Sequence, residues 1–253
     1  SENRELINTL FEDNHKIDLN HQNNQGETVL SILALNGIRN IKLIKLYLSK
    51  GATPDLVNKY GKSLIEILID IILYSENRKP LEFEYEILLN EDAEYANVLE
   101  IILKSHNVDI NKLNSKHEPL FFDSIVYFNF KLFKLLRVKD INLNQRDKDG
   151  NNIIFKLMDY NDKNLIKDKK LYLNTIKSLI NAGVDINAKN NEGLTALHIA
   201  VGEKCEYTIR LLLEMRADCF VTDKQGRSII HTCIWKNTTK YFRLLYHYNK
   251  EVI

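Results

Sequence analysis

The chain has 253 residues, 44% of them hydrophobic, enough to bury a sizeable core. Its 35 lysines and arginines against 34 aspartates and glutamates leave no electrostatic lean, which argues against nucleic acid or a membrane surface as partner. With only 3 prolines and 9 glycines it suits helices joined by short turns, and it holds neither a long apolar run nor an apolar leader, so a soluble chain is expected.

In chain order, Leu6, Ile7, Leu10 and Phe11 share one helical face and Ile17-Asp18-Leu19-Asn20 reads as a closing turn, predicting a terminal half-repeat over 1–22. A turn at Asn23 to Gly26 follows, then Thr28, Leu30 and Ile32 in a short helix, Ile41 to Leu48 in a second, and a close at Gly51-Ala52. The same order restarts at Gly61, 35 residues after Gly26, with Ser63, Ile65 and an apolar helix from Leu64 to Leu73 that predicts deep burial. The next counterpart of that glycine is read at Lys116, 55 residues on, leaving about 22 extra residues between Tyr74 and Asn97 before Val98 to Leu103 resumes the outer helix. This insertion is acidic, through Glu82, Glu84, Glu86 and Glu91 among others, with Phe83 and Tyr85 interleaved. It reads either as a solvated loop or as a protrusion that docks a partner.

At Lys116 the turn lacks its glycine and must either strain a lysine into positive φ or take another shape; Pro119-Leu120 and a run of phenylalanines follow, and Asp140-Ile141-Asn142-Leu143-Asn144 closes the unit. Gly150 restarts the pattern, and Gly193 comes 43 residues later, so about ten residues are added near Tyr160 to Lys170. That stretch leans basic and reads as a solvated loop. Gly226 stands 33 residues after Gly193, and Asp218-Cys219-Phe220 stands 33 after Asp185-Ile186-Asn187. Tyr241 to Leu245 forms the last helix, with no closing turn after it.

A pair of short antiparallel helices cannot bury both apolar faces alone, so this period requires copies stacked on either side. Gly193, Thr195, Leu197, His198 and Ala200, with Gly183, Asp185, Ile186, Asn187 and Ala188 closing the unit before, resemble the ankyrin repeat. The resemblance implies an all-α solenoid of paired antiparallel helices with short turn or hairpin fingers, about six repeats in a single domain over 1–253. Its units are 1–22 as a cap, 23–57, 58–112, 113–146, 147–189, 190–222 and 223–253. It implies a protein–protein interaction scaffold and not an enzyme. It also places the contacting positions beside the turn glycine and at the inner helix end: Asn24, Gln25, Tyr60, Lys62, Lys148, Asp149, Tyr160, Asn191, Glu192, Lys224, Arg227 and Trp235. Tyr60, Tyr160 and Trp235 are the aromatic candidates on an otherwise polar face. Trp235 either anchors a partner or packs under the C-terminal tail.

Catalytic signatures are absent: the sequence has no G-x-x-x-x-G-K-[ST], G-x-G-x-x-G, H-E-x-x-H or G-x-S-x-G. Cys205, Cys219 and Cys233 form no C-x-x-C pair and read as free thiols of a reducing, cytoplasmic compartment, with delivery into a host cytosol compatible with that. His198, His231 and Cys233 fall in neighbouring units, but the two histidines occupy the family's T-P-L-H position, where the resemblance has them bond to backbone. No metal and no cofactor is expected. A monomer is expected, either acting alone or as the recognition arm of a larger, effector-like protein whose enzymatic part lies elsewhere.

Overall fold

Six turns of the chain are built on one device. An Asn or Asp side chain accepts from the backbone N–H groups two and four residues ahead, as Asn23 Oδ1 does from Gln25 and Glu27, both at 2.9 Å. Asn58, Asn114, Asp147, Asn190 and Asp223 repeat it. In each turn the backbone N–H three residues on donates to the carbonyl of that same Asx, and the carbonyl four residues on accepts from its N–H. A short polar side chain that mimics a backbone turn is why Asx opens every one of these fingers.

The structure is a computed structural model and describes residues 18–36, 40–75, 95–105, 108–137, 140–162 and 169–250. The terminal half-repeat before Asp18, most of the 74–97 insertion and residues 163–168 of the second insertion lie outside the described residues. The described residues are all-helical apart from isolated bridges that pin three fingers, at Val57 with Ser63, Leu113 with Pro119, and Thr222 with Ser228.

Two compact units can be distinguished, residues 1–110 with 134–139, and residues 111–133 with 140–253. In the first unit the helices are α1 (Val29–Leu35), α2 (Ile41–Ser49), α3 (Leu64–Ser75) and α4 (Tyr95–Leu103). α1 packs on α2 and α4, and α3 on α4. Leu30 and Ala34 of α1 and Ile44 of α2 are wholly buried, and every residue of α3 from Leu64 to Leu73 is buried, as its composition predicts. Across this unit Tyr95 Oη donates to the Leu35 carbonyl at 3.4 Å.

The second unit carries α5 (Phe121–Val126), α7 (Ile153–Asp162), α8 (Lys169–Asn181), α9 (Ala196–Gly202), α10 (Glu206–Glu214), α11 (Ile229–Trp235) and α12 (Tyr241–Lys250); α6 (Phe130–Leu136) begins in it. The inner helices α5, α7, α9 and α11 pack each on the next, and the outer helices α8, α10 and α12 do the same. Phe121 meets Phe122 edge to face at 5.0 Å and, tilted, Phe133 at 6.2 Å; Phe121 and Phe122 are core, while Phe130 of the same aromatic run is exposed. α7 takes in Tyr160 to Asp162 and α8 takes in Lys169 and Lys170, so both ends of the second insertion, read as a solvated loop, are helical.

The third finger corrects the register read from sequence. The residue three after its Asx is His117, not Lys116: His117 N–H donates to Asn114 O at 2.9 Å, and His117 adopts φ 60. The strain assigned to Lys116 therefore falls on His117, and the spacing to Gly150 becomes 33, the period of the later repeats. The close of that unit falls in the later part of the stretch read for it, because Asn142 Oδ1 accepts from Asn144 N–H, making Asn142-Leu143-Asn144 the counterpart of Asp185-Ile186-Asn187.

Candidate functional site

The fingers are tied to one another through backbone. In the first unit Lys59 N–H donates to Gln25 O at 2.9 Å; in the second, Asn191 N–H donates to Asp149 O at 2.8 Å and Lys224 N–H to Glu192 O at 3.0 Å. Gly150 and Gly193 answer two demands at once. Their φ values of +79 favour glycine, and a Cβ on Gly193 would stand 2.7 Å from the Lys224 nitrogen. The closing turns are tied by asparagine side chains: Asn20 Oδ1 accepts from Thr53 N–H, Asn111 from Asn142, Asn144 from Asp185 and Asn187 from Asp218, at 2.8–2.9 Å. The D-x-N close visible in the sequence is thus a ladder between repeats.

Helix starts reuse a reciprocal cap. Thr195 N–H donates to His198 Nδ1 at 3.2 Å, and Ser228 N–H to His231 Nδ1 at 3.1 Å, the backbone bonding expected of both histidines. Thr28 and Ser31 do the same without a histidine. Burial lowers the His198 pKa from its ordinary range, against the pull of Asp223 and the backbone of Arg227. His231, one repeat later, is exposed. Among the described residues no group of three or more His, Cys, Asp or Glu side chains is placed to hold a metal. Cys205, Cys219 and Cys233 form no disulfide; burial raises the Cys219 thiol to about 11 and raises Cys233 as well.

Of the twelve positions named from sequence, Asn24, Gln25, Tyr60, Lys148, Asp149, Asn191, Glu192, Lys224, Arg227 and Trp235 are exposed. Each unit presents its own set, Asn24, Gln25 and Tyr60 in the first and the rest in the second. Lys62 is a correction. It is buried, and its Nζ lies 2.5 Å from Asp70 Oδ2, with Glu66 buried on the same helix, so its ammonium is held inside instead of offered outward. Its partner Asp70 is itself buried inside α3, so the charge pair is closed within the unit. Tyr160 lies in α7 but its side chain is outside the described residues. Asn191 is exposed yet already employed, its Nδ2 donating to the Lys148 carbonyl at 2.9 Å.

Trp235 stands 71% exposed, so it does not pack under the tail. Arg227 lies 5.4 Å and Lys236 5.3 Å from its ring centroid. Arg227 also holds Asp223 at 2.7 Å, joining the finger to the end of the inner helix. The sequence hinted at these cations only through Lys236 being adjacent and Arg227 standing just after the turn glycine.

Asx-built fingers alternating with antiparallel helix pairs, stacked on one another within each unit, define a helical repeat architecture. Residues 167–253 match the family model for ankyrin repeats in 3 copies, so this stretch of the chain consists of ankyrin repeats. Among solved structures it is similar to the ankyrin repeat domain of Bcl-3, with a TM-score of 0.63 at 18% identity over 90% of this chain and 86% of that one. It is also similar to an ankyrin repeat domain from Acinetobacter baumannii, with a TM-score of 0.56 at 18% identity over 87% and 97%. In sequence it is 52% identical to human B-cell lymphoma 3 protein over 50 residues, 19% of this chain and 11% of that protein. It is 26% identical to the putative ankyrin repeat protein L371 of Acanthamoeba polyphaga mimivirus over 218 residues, 85% and 24% of the two. A putative ankyrin repeat protein of Rickettsia felis is 26% identical over 230 residues, 90% and 50%. The chain therefore spans between about a tenth and a half of these curated relatives. No helix among the described residues is long and apolar enough to cross a membrane.

Proposed function

We propose that this chain is a recognition scaffold that binds a partner protein through its finger tips and the exposed ends of its inner helices. Ankyrin repeats generally serve as protein–protein interaction modules, so the reading is a non-enzymatic one. The observation that carries it is a division of labour within the fingers. Backbone and Asx side chains fix the frame, while Gln25, Asp149, Glu192 and Lys224 project from it into solvent. Side chains on a frame that is already ordered lose little entropy on binding, which favours recognition there.

Affinity capture with the immobilised chain, repeated with Asp149→Arg plus Glu192→Arg and with Gln25→Arg, tests this reading. At least one specifically retained protein is expected to be lost or weakened by a tip variant that unfolds at the same urea concentration as the parent. Equal retention of every captured protein by all the variants refutes it.

A second reading is supported by length. Because the chain spans only 11% to 50% of the relatives compared above, we propose as the alternative that it is the targeting arm of a larger, effector-like protein whose enzymatic part lies elsewhere. A full open reading frame encoding a separately folded catalytic domain would favour that reading, and one encoding further repeats alone would oppose it.

A further inference from the structure

The outer helices of the first unit leave a cavity of about 710 Å³ between them. α2 lines it with Ile41, Lys45 and Leu48, at i, i+4 and i+7, and the second repeat lines it with Glu100 and Ile101 of α4 and with Lys104 just beyond that helix. Each set shares one helical face. Ile41, Leu48 and Ile101 are half-buried, whereas Ile44 of α2 and Val98, Leu99 and Ile102 of α4 belong to the core and are wholly buried. Three aliphatic side chains thus line the cavity, and the stems of two lysines extend its apolar surface. Its volume lies within the roughly 300–1,000 Å³ of ordinary small-ligand sites.

The charges around it do not balance. Lys104 Nζ lies 2.6 Å from Glu100 Oε1, so those two neutralise each other, and Glu100 is the only carboxylate among the lining residues. Lys45 Nζ has no partner among the described residues. The hydroxyls of Ser49 and Ser105, also in the lining, donate to carbonyls of the turn before them, Leu46 at 2.8 Å and Ile102 at 2.7 Å. The cavity therefore offers an aliphatic surface and one uncompensated cation. Releasing water from that surface favours a hydrocarbon, and the ammonium favours a ligand carrying one negative charge.

We infer that this cavity binds a small amphiphilic carboxylate, with its hydrocarbon chain against Ile41, Leu48 and Ile101 and its carboxylate at Lys45. None of the finger-tip residues proposed to meet a partner protein lines it. The site therefore goes beyond the scaffold reading, and either can fail without the other.

Sodium decanoate is the probe, and decyltrimethylammonium is its cationic counterpart of the same chain length. Both are titrated, below their micelle concentrations, into the 253-residue chain with labelled isoleucine and leucine methyl groups, and the methyl NMR signals are followed. Decanoate is expected to shift the signals of Ile41, Leu48 and Ile101 saturably, with a dissociation constant of about 1 mM or lower. Decyltrimethylammonium is expected to bind about threefold more weakly or worse, because it faces the ammonium of Lys45. Lys45→Gln, a change at an exposed side chain, is expected to weaken decanoate by about threefold while leaving the urea midpoint unchanged. Ile101→Trp, whose larger ring occupies the cavity, is expected to remove the decanoate shifts at Ile41 and Leu48. Absence of a saturable shift at these residues, equal binding of the two surfactants, or indifference to Lys45→Gln overturns the inference. So does a shift of the same signals produced by protein concentration alone with dimer seen in sedimentation, which makes a second copy the occupant.

Discussion

Replacing Gly193 by Ala separates the two demands placed on a finger glycine, when it is compared with Gly183→Ala in the same unit. Both residues sit at positive φ, +79 and +96, so both replacements incur the left-handed penalty of an L residue, about 1–2 kcal/mol. Both also gain about 0.4–1 kcal/mol from a less flexible unfolded chain. For Gly183 nothing lies within 4 Å of the added Cβ, so the net loss should stay near 1 kcal/mol. For Gly193 the Cβ would stand 2.7 Å from Lys224 N and 3.0 Å from the Asp223 carbonyl carbon. Both are backbone atoms and cannot rotate aside. The last finger must move, which strains a packed contact by about 1–3 kcal/mol and stretches the 3.0 Å bond from Lys224 N–H to Glu192 O, worth about 1 kcal/mol.

The expected loss for Gly193→Ala is therefore about 3 kcal/mol, against about 1 for Gly183→Ala. Urea unfolding of the two variants and the parent gives the comparison, with the caution that a repeat array can lose its repeats in steps. Amide hydrogen exchange supplies the local reading: Lys224 N–H should lose protection in Gly193→Ala and keep it in Gly183→Ala. Equal destabilisation by the two changes, or an undisturbed Lys224 amide in Gly193→Ala, would refute the claim that the glycine is required by the neighbouring finger.

Arg216 stands at φ 65 one period after Gly183, and exposed Lys204 at φ 60, so Arg216→Gly and Lys204→Gly should each raise stability by about 0.5–1 kcal/mol, the relieved strain exceeding the added freedom of the unfolded chain. A lower thermal midpoint for both would contradict this. Lys62→Met leaves Asp70 buried without its 2.5 Å partner and should cost about 3–5 kcal/mol, while Lys62→Met with Asp70→Leu should recover most of that loss in a double-mutant cycle. Additive losses would show that the two are not a pair. His198 has a folded pKa below its unfolded one, so the unfolded state binds the proton first and its contribution to stability is complete above about pH 6.5 and lost as pH falls towards the folded pKa. Denaturation of His198→Asn and the parent at pH 7.5 and pH 5 should show the gap between them narrowing at the lower pH; a widening gap would reverse the sign.

How far the sequence could be read depends on which interactions leave a fixed residue type behind. The Asx and glycine of each finger do, because a side-chain acceptor at one position and positive φ at another admit few alternatives, and so five fingers were legible from Gly26, Gly61, Gly150, Gly193 and Gly226. The third finger misled because histidine can also occupy the left-handed position at His117, and without glycine the pattern slid by one onto Lys116. Lys62 misled for a different reason. Its place in the repeat is one that faces solvent in a regular unit, but here Asp70 of α3 turns inward and the pair is buried together. Nothing local to Lys62 announces a partner eight residues away on a helix longer than the period predicts.

The candidate surface follows the same logic in reverse. Residues that hold the frame are constrained by partners inside the chain, such as Asn187 with Asp218, and their identities can be read from the repeat. Residues that meet another molecule are constrained only by that molecule, and their positions can be read while their pattern cannot. Trp235 was visible as a lone aromatic, but the exposed Ile230 and Ile234 carry the same apolar periodicity as the buried Leu197 and Val201. Periodicity records that a helix has an apolar stripe and not what covers it. At every earlier inner helix of the second unit the chain itself supplies the cover, and the stripe on α11 is told apart from those only by its exposure.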